Sequence, residues 1–189
     1  MVSHHGELIL STTTRFTAQC PSEDAAPALG GFVMVEIPPG AALAVVAEVR
    51  AASFDAHRRP QAYGLDADEL YRQQPQLREL LVTEFDACLI GHNPGDGWRQ
   101  LLPPRPPRLH GFVFPAPPAA VAVVTAAGDW LRTLSTAELS DDALAAAIRD
   151  SATAHPGDGR YLIRTGQALA RLLGDDYDRL QALLRRIAS

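Results

Sequence analysis

The acidic pair Glu84 and Asp86 has the spacing that best suits acid–base or metal chemistry. The two carboxylates lie two residues apart in VTEFDACLIG, where apolar and polar residues alternate and thereby predict a strand. Side chains two apart on a strand share one face, so the pair could bind a metal ion or act as general acid and general base. The alternative, which we favour, is that both carboxylates belong to the solvent-facing side of that strand.

The other reactive side chains lack the spacing that such chemistry requires. Asp175, Asp176 and Asp178 lack the spacing of a calcium loop and its closing glutamate, so helix capping explains them better. Cys88 lies in an apolar strand and is most simply a small core residue; with Cys20 it makes too few cysteines for a disulfide framework. The histidines, which show no metal-ligand spacing, are His4, His5, His57, His92, His110 and His155. We therefore predict no catalytic residue, no metal site and no cofactor.

The absence of lysine excludes several catalytic classes. All 17 basic residues are arginine. A phosphate-binding loop with its lysine, a Schiff-base lysine and a kinase-type strand lysine are therefore all impossible. No G-x-S-x-G elbow is present either. The sequence thus predicts a protein that is not an enzyme and does not hydrolyse nucleotides.

The segment LLPPRPPRLH, residues 101–110, is the best candidate for a binding surface. Its four prolines lack amide donors and fix φ near the polyproline value, which predicts a stiff, extended connector between two strands. Arg105, Arg108 and His110 would project from it, and the two guanidinium groups could bind a carboxylate or phosphate through paired hydrogen bonds. We predict these three residues as partner-binding. The alternative is that the arginines are solvated side chains at a corner of the fold.

Further arginines raise the possibility of nucleic-acid binding. A nucleic-acid interface needs such charges on one face, together with aromatic side chains for stacking. Aromatic residues make up only 6% of the chain, and aspartates adjoin the terminal arginines. We therefore favour solvated helix faces for these residues. The arginines concerned are Arg58, Arg59, Arg72, Arg78, Arg179, Arg185 and Arg186.

The elements that position these residues are predicted to be strands in the first half of the chain. Proline and glycine at the turns indicate the corners of a small closed β-barrel, interrupted by a helical insertion at about 66–81. Asp66 caps that insertion and Pro75 divides it into two short helices. Its expected apolar face comprises Leu65, Leu70, Leu77, Leu80 and Leu81. The predicted strands cover residues 8–20, 31–37, 43–49, 82–91, 98–102 and 109–114.

The second half is predicted to be helical. Ser140 is a suitable cap for a helix over 141–152, and Gly174 suits the end of a helix over 160–173. A final helix, capped by Asp175 or Asp176, has an apolar stripe that should pack on the rest of the fold. This stripe consists of Leu180, Leu183, Leu184 and Ile187. The overall prediction is an α+β fold with a β-barrel domain at about 7–115 and a helical C-terminal subdomain at about 116–189.

Several motifs resemble those of the stand-alone bacterial HAS-barrel proteins. They are GFVMVEI, LAVVAEVRA, YRQQPQL, TEFDACLIGH, LLPPRPPRLH and the terminal GDDYDRL, between about Thr12 and Ile187. HAS denotes the barrel shared by HerA-type DNA-translocating ATPases and the catalytic subunits of rotary ATP synthases. In the motor proteins this barrel precedes the ATPase domain and helps to organise the ring. The resemblance implies a barrel that docks on partners, although this chain has neither an ATPase domain nor the lysine that one would need.

Composition limits the classes of partner and the cellular location that we expect for this protein. A net charge of −5 argues against a general nucleic-acid or membrane binder, and no apolar run is long enough to cross a bilayer. The first residues lack the pattern of a signal peptide, so we expect a cytoplasmic protein. The leading hypothesis is a non-enzymatic binding and assembly module that docks onto a larger protein machine. The alternatives are an accessory nucleic-acid-binding protein associated with a DNA-processing motor and, third, a hydrolase that uses carboxylates.

Overall fold

Six strands close into an antiparallel barrel in the part of the chain that the computed structural model describes, residues 4–53 and 62–188. Around the barrel the strands follow the order β1-β2-β5-β4-β3-β6. Helices follow the last strand, so the predicted α+β class with a β-barrel is confirmed. The strands are β1 (Gly6–Ser11), β2 (Arg15–Gln19), β3 (Phe32–Ile37), β4 (Gly40–Ser53), β5 (Leu81–Asn93) and β6 (Phe112–Pro115).

Side chains on the inner face of each strand fill the barrel. Phe85, Ala87 and Leu89 of β5 are fully buried, as the alternation of this segment predicts. Phe85 meets Phe16 of β2 edge to face, with ring centroids 6.2 Å apart. The same interior contains Leu8, Ala18, Val33, Val35, Ala42, Ala44, Val46 and Val113.

A second core forms where the C-terminal helices cover the outer face of β3, β4 and β5. The outward-facing Phe32, Val45 and Ile90 are buried against these helices. Both faces of these strands are therefore apolar in their central parts, which is why GFVMVEI and LAVV read as continuous hydrophobic runs. The helices contribute Val124, Trp130, Leu131, Leu134, Leu144, Ile148, Leu169 and Leu183 to this core.

The predicted single strand over 8–20 is wrong, because a tight turn divides it into β1 and β2. The hydroxyl of Thr12 accepts hydrogen bonds from the backbone N–H groups of Thr14 and Arg15, at 3.2 and 3.0 Å, and donates to Arg15 O at 2.9 Å. A threonine side chain that satisfies nearby backbone groups stabilises a turn in place of a sheet ladder. Residues 15–19 then return beside β1.

The helices begin where the sequence predicts caps. Asp66 Oδ1 accepts from Glu69 N at 2.9 Å, Ser140 Oγ from Ala143 N at 3.2 Å, and Asp176 Oδ1 from Arg179 N at 3.2 Å. None of the helices in the described ranges is both long and apolar enough to cross a membrane. The helices are α1 (Ala67–Gln73), α2 (Gln76–Glu79), α3 (Pro118–Thr125), α4 (Asp129–Thr136), α5 (Asp141–Thr153), α6 (Tyr161–Leu173) and α7 (Tyr177–Ala188).

The helical insertion divides at Pro75 as predicted, but its expected apolar face is not part of the core. α1 contains no buried residue, and Leu65 and Leu80 are exposed. Leu81 already belongs to β5. Two helices of seven and four residues are too short to present a continuous apolar stripe to the barrel.

The strands predicted on either side of the proline-rich connector are shorter than expected. In place of a strand over 98–102, Arg99 forms a single isolated bridge with His92. The strand predicted at 109–114 is confined to β6. Prolines between these segments offer no N–H groups for a ladder, so regular pairing stops on both sides of them.

Candidate functional site

The connector, residues 101–111, is fixed to the barrel at both ends. At its start, Leu101 O accepts a hydrogen bond of 2.8 Å from His92 Nδ1, beside the His92–Arg99 bridge. At its end, His110 N donates to Leu8 O at 2.9 Å, and Leu8 N donates to Gly111 O at 3.0 Å. The connector is therefore held at its start by β5 and at its end by β1.

Two of its prolines also anchor the middle of the connector. Pro103 and Pro107 are buried, whereas Pro104, Arg105 and Pro106 between them are exposed. Proline has a fixed φ and little conformational freedom to lose. Arg105 is consequently presented on a stiff segment whose shape is set before any partner arrives.

The structure places all three predicted partner-binding residues at the surface and shows that they differ in their contacts. Arg105 and Arg108 have no side-chain hydrogen bond or ion pair among the described residues. His110 is held: its Nδ1 lies 2.6 Å from Glu7 Oε1, and its φ of 64° is in the left-handed region that side chains other than glycine rarely adopt. The two guanidinium groups are therefore available to a ligand, while the His110 side chain already has a partner.

Exposed apolar side chains occur within the connector and directly after it. Leu101 is 63% exposed and Leu109 is 55% exposed. Phe112, 47% exposed, lies opposite Glu7 in the β1–β6 pair and stacks on His4 with ring centroids 4.4 Å apart. We call this set of side chains the connector surface. It consists of Leu101, Arg105, Arg108, Leu109, His110 and Phe112.

The connector surface lies in the longest stretch of the sequence without a carboxylate. No aspartate or glutamate occurs between Asp96 and Asp129, whereas Arg99, Arg105 and Arg108 do. Arg99 is neutralised by Asp96 at 2.6 Å. Glu7 of β1 reaches this surface, where it contacts His110, but among the described residues Arg105 and Arg108 remain as two unpaired positive charges on a protein whose net charge is −5.

The acidic pair is a cross-strand ion cluster. Glu84 and Asp86 share the outer face of β5, as predicted, and Arg50 of β4 bonds both: its Nη2 lies 2.9 Å from Glu84 Oε2 and its Nη1 2.5 Å from Asp86 Oδ2. Thr17 of β2 donates to Asp86 Oδ1 at 2.5 Å. These bonds raise the pKa of Arg50, mainly through the hydrogen bond to Asp86. The pair therefore joins three strands rather than facing solvent alone.

Two of the three arginines singled out on the last helix form partly exposed ion pairs, whereas the third, Arg185, is exposed without one among the described residues. Arg179 Nη2 lies 2.9 Å from Asp141 Oδ1, and Arg186 Nε lies 2.7 Å from Asp142 Oδ1. These ion pairs connect α7 to the first turn of α5. Of the other predicted cluster, Arg58 and Arg59 lie outside the described residues, as does His57, and the side chain of Arg78 is not described. Arg72 bonds Asp68 O within its own helix.

A buried polar network in the helical part was not predicted, because its members are far apart in the sequence. The His155 ring stacks on Tyr161 with centroids 3.9 Å apart, and its Nε2 lies 2.9 Å from Thr125 Oγ1. Tyr161 donates its hydroxyl hydrogen to Ser151 Oγ at 2.9 Å. These contacts connect α3, α5 and α6.

The hydrogen-bond directions in this network suit a role in holding the helices together and do not suit nucleophilic catalysis. Thr125 donates its hydroxyl hydrogen to Val121 O, so His155 Nε2 must donate to Thr125. Ser151, which is fully buried, donates to Ile148 O. A nucleophilic hydroxyl needs a base positioned to accept its proton and space for a substrate. Here the hydroxyl protons point to backbone carbonyls or to another hydroxyl inside the helical packing.

His155 should make the stability of the protein depend on pH. Burial lowers the pKa of its imidazole because the charged ring loses hydration; Asp158 opposes this shift and Arg164 adds to it. The unfolded chain therefore binds a proton more readily than the folded one once the pH falls below about 6.5. The free energy of unfolding should then decrease as the pH falls from about 7.5 to below about 6.5.

Urea unfolding at several pH values, with His155→Asn as the comparison, tests this expectation. The variant removes the titrating ring, so its free energy of unfolding should decline less steeply over the same interval. Other groups titrate equally in both proteins and cancel in the difference. Identical slopes would show that the buried ring does not contribute to the pH dependence.

Neither cysteine has the properties of a nucleophile. Burial, with a smaller contribution from the charge of Glu84, raises the pKa of the Cys20 thiol to about 11. Cys88 is buried in the second core, and this burial raises the pKa of its thiol as well. Within residues 4–53 and 62–188, no three histidine, cysteine, aspartate or glutamate side chains are grouped so as to hold a metal ion.

The connector surface is therefore the predicted site that the fold leaves open to a ligand. Among the other charged groups singled out in the sequence, Glu84, Asp86, Arg179 and Arg186 form ion pairs within the fold. Comparison with models of known protein families and with curated proteins gives no match to this chain.

Proposed function

We propose that the protein is a non-enzymatic binding and assembly module that docks onto a larger protein machine through its connector surface. The observation that carries this proposal is that the side chains of Arg105 and Arg108 are exposed and form no ion pair with a carboxylate of the described residues. Because buried Pro103 and Pro107 fix the backbone, little conformational entropy is lost when a partner binds. The resemblance to the HAS-barrel family, and with it a cytoplasmic location, belongs to this proposal.

A protein partner explains the surface better than a nucleic acid does. A nucleic-acid binder needs a continuous basic face with aromatic groups for stacking. On α7, Arg179 and Arg186 are paired with aspartates. The connector surface has Phe112 as its one aromatic ring and combines it with exposed leucines. Mixed apolar and arginine-containing surfaces are typical of protein interfaces.

Replacing both Arg105 and Arg108 by alanine should weaken partner capture by about tenfold or more, since each arginine can form a charge-assisted hydrogen bond. The fold should stay intact, because exposed arginines contribute little to stability. The measurement is capture of partner proteins from the native cell extract on immobilised wild-type and variant protein, quantified by mass spectrometry.

The matched control is Arg132→Ala with Arg171→Ala. These two arginines on α4 and α6 are also exposed and unpaired among the described residues, so the control changes the net charge equally at another place. Equal capture by wild type and by the Arg105/Arg108 variant would contradict the proposal. A steeply salt-dependent affinity for DNA that only the Arg105/Arg108 variant loses would support the nucleic-acid alternative instead.

A further inference from the structure

We propose that the connector surface recognises a protein segment in which carboxylates stand next to apolar side chains. This inference rests on the proposed docking function and adds the chemical class of the segment that is bound. Three properties of the surface support it: the unpaired charge, the exposed apolar side chains of the same segment, and the four prolines that lack backbone N–H groups.

The charge of the surface favours a carboxylate ligand. Elsewhere in this fold, guanidinium groups such as those of Arg50, Arg164 and Arg179 are bonded to carboxylates. Arg105 and Arg108 have no such partner, and the chain offers none between Asp96 and Asp129. The planar guanidinium fork matches a carboxylate in geometry. Since the chain as a whole carries a net charge of −5, these two unpaired arginines form a local positive site that would attract an acidic segment.

The apolar side chains distinguish a peptide from a simple anion. Leu109 directly follows Arg108, and Leu101 and Phe112 are also exposed. A phosphate or nucleic-acid backbone would satisfy the arginines but leave these side chains in water. A segment with leucine-like residues beside its carboxylates would remove apolar surface from water as well, which contributes roughly 25 cal/mol per Å².

The prolines determine how the segment can bind. Pro103, Pro104, Pro106 and Pro107 have no backbone N–H, so a partner strand cannot form a regular ladder along them. The barrel to which the connector belongs is closed. Along the prolines, recognition must therefore use side chains, so we expect the charged and apolar residues of the segment to determine the affinity.

Fluorescence anisotropy with three synthetic peptides tests this inference on the full chain. The probe is a fluorescein-labelled peptide of alternating aspartate and leucine. One matched peptide has asparagine in place of aspartate, and the other has serine in place of leucine. We expect saturable binding of the aspartate–leucine peptide in the range of about 10–100 μM, and at least about tenfold weaker binding of each matched peptide.

Protein variants locate the binding on the connector surface. Arg105→Ala with Arg108→Ala should reduce affinity for the aspartate–leucine peptide by about tenfold or more, whereas Arg132→Ala with Arg171→Ala should leave it unchanged. Arg105→Lys with Arg108→Lys keeps the charge but not the guanidinium fork, so it should give an intermediate loss.

Two results would overturn the inference, and they are distinguishable from failure of the docking function. If the aspartate–serine peptide or an oligothymidylate binds as tightly as the aspartate–leucine peptide, the surface is an anion site without apolar recognition. If no peptide binds while protein capture still depends on Arg105 and Arg108, the docking function stands and the proposed partner chemistry is wrong. If capture is independent of the two arginines as well, both proposals fail.

Discussion

Replacing Trp130 by alanine should lower the free energy of unfolding by about 3–5 kcal/mol. Trp130 is fully buried at the start of α4, and its ring lies 6.0 Å from that of Phe32 on β3. It therefore occupies the second core, where the helices meet the outer face of the barrel. Alanine would leave a cavity in a place where two layers of structure meet, and neither layer could close it without moving the other.

Urea unfolding followed by far-ultraviolet circular dichroism measures this effect, and Trp130→Phe is its control. The indole Nε1 has no hydrogen-bond partner in the described part of the chain. Phenylalanine therefore keeps much of the buried ring and loses no hydrogen bond, so its cost should be clearly smaller than that of alanine. If both variants unfold at the same urea concentration, packing at this position does not hold the helices to the barrel.

Replacing Leu183 by alanine should cost about 2–5 kcal/mol. Leu183 is fully buried, and Leu180 and Ile187 on the same face of α7 pack against the second core. This confirms the prediction that the terminal helix packs on the rest of the fold, but Leu184, which was predicted to belong to the same stripe, is exposed. The ion pairs of Arg179 and Arg186 with α5 flank the contact, but such half-exposed pairs contribute much less than the apolar burial.

The adjacent Leu184 provides a matched control for Leu183. Its side chain is 42% exposed, so Leu184→Ala removes the same atoms from a place that is already in contact with water. We expect Leu184→Ala to shift the thermal midpoint by much less than Leu183→Ala. Equal shifts would mean that the helix does not rely on the buried position for its packing.

The sequence by itself determined the features that depend on neighbouring residues. Asp66 and Ser140 cap the helices for which they were predicted, because a cap bonds to a backbone group only three residues away. Glu84 and Asp86 share a face because strand geometry fixes the direction of alternate side chains. The irregular course of the connector around Arg105 and Arg108 follows in the same way from prolines that prevent regular structure.

Only the tertiary structure decided which distant groups meet. Arg50 lies 34 residues from Glu84, and His155 lies 30 from Thr125, so no local spacing could reveal either contact. The prediction that the helical insertion has a buried apolar face is wrong for the same reason, because the burial of a leucine depends on what packs over it. The connector surface shows both contributions. Its prolines make the backbone stiff. Whether Arg105 and Arg108 have an ion-pair partner within the protein, however, depends on where the fold places the carboxylates.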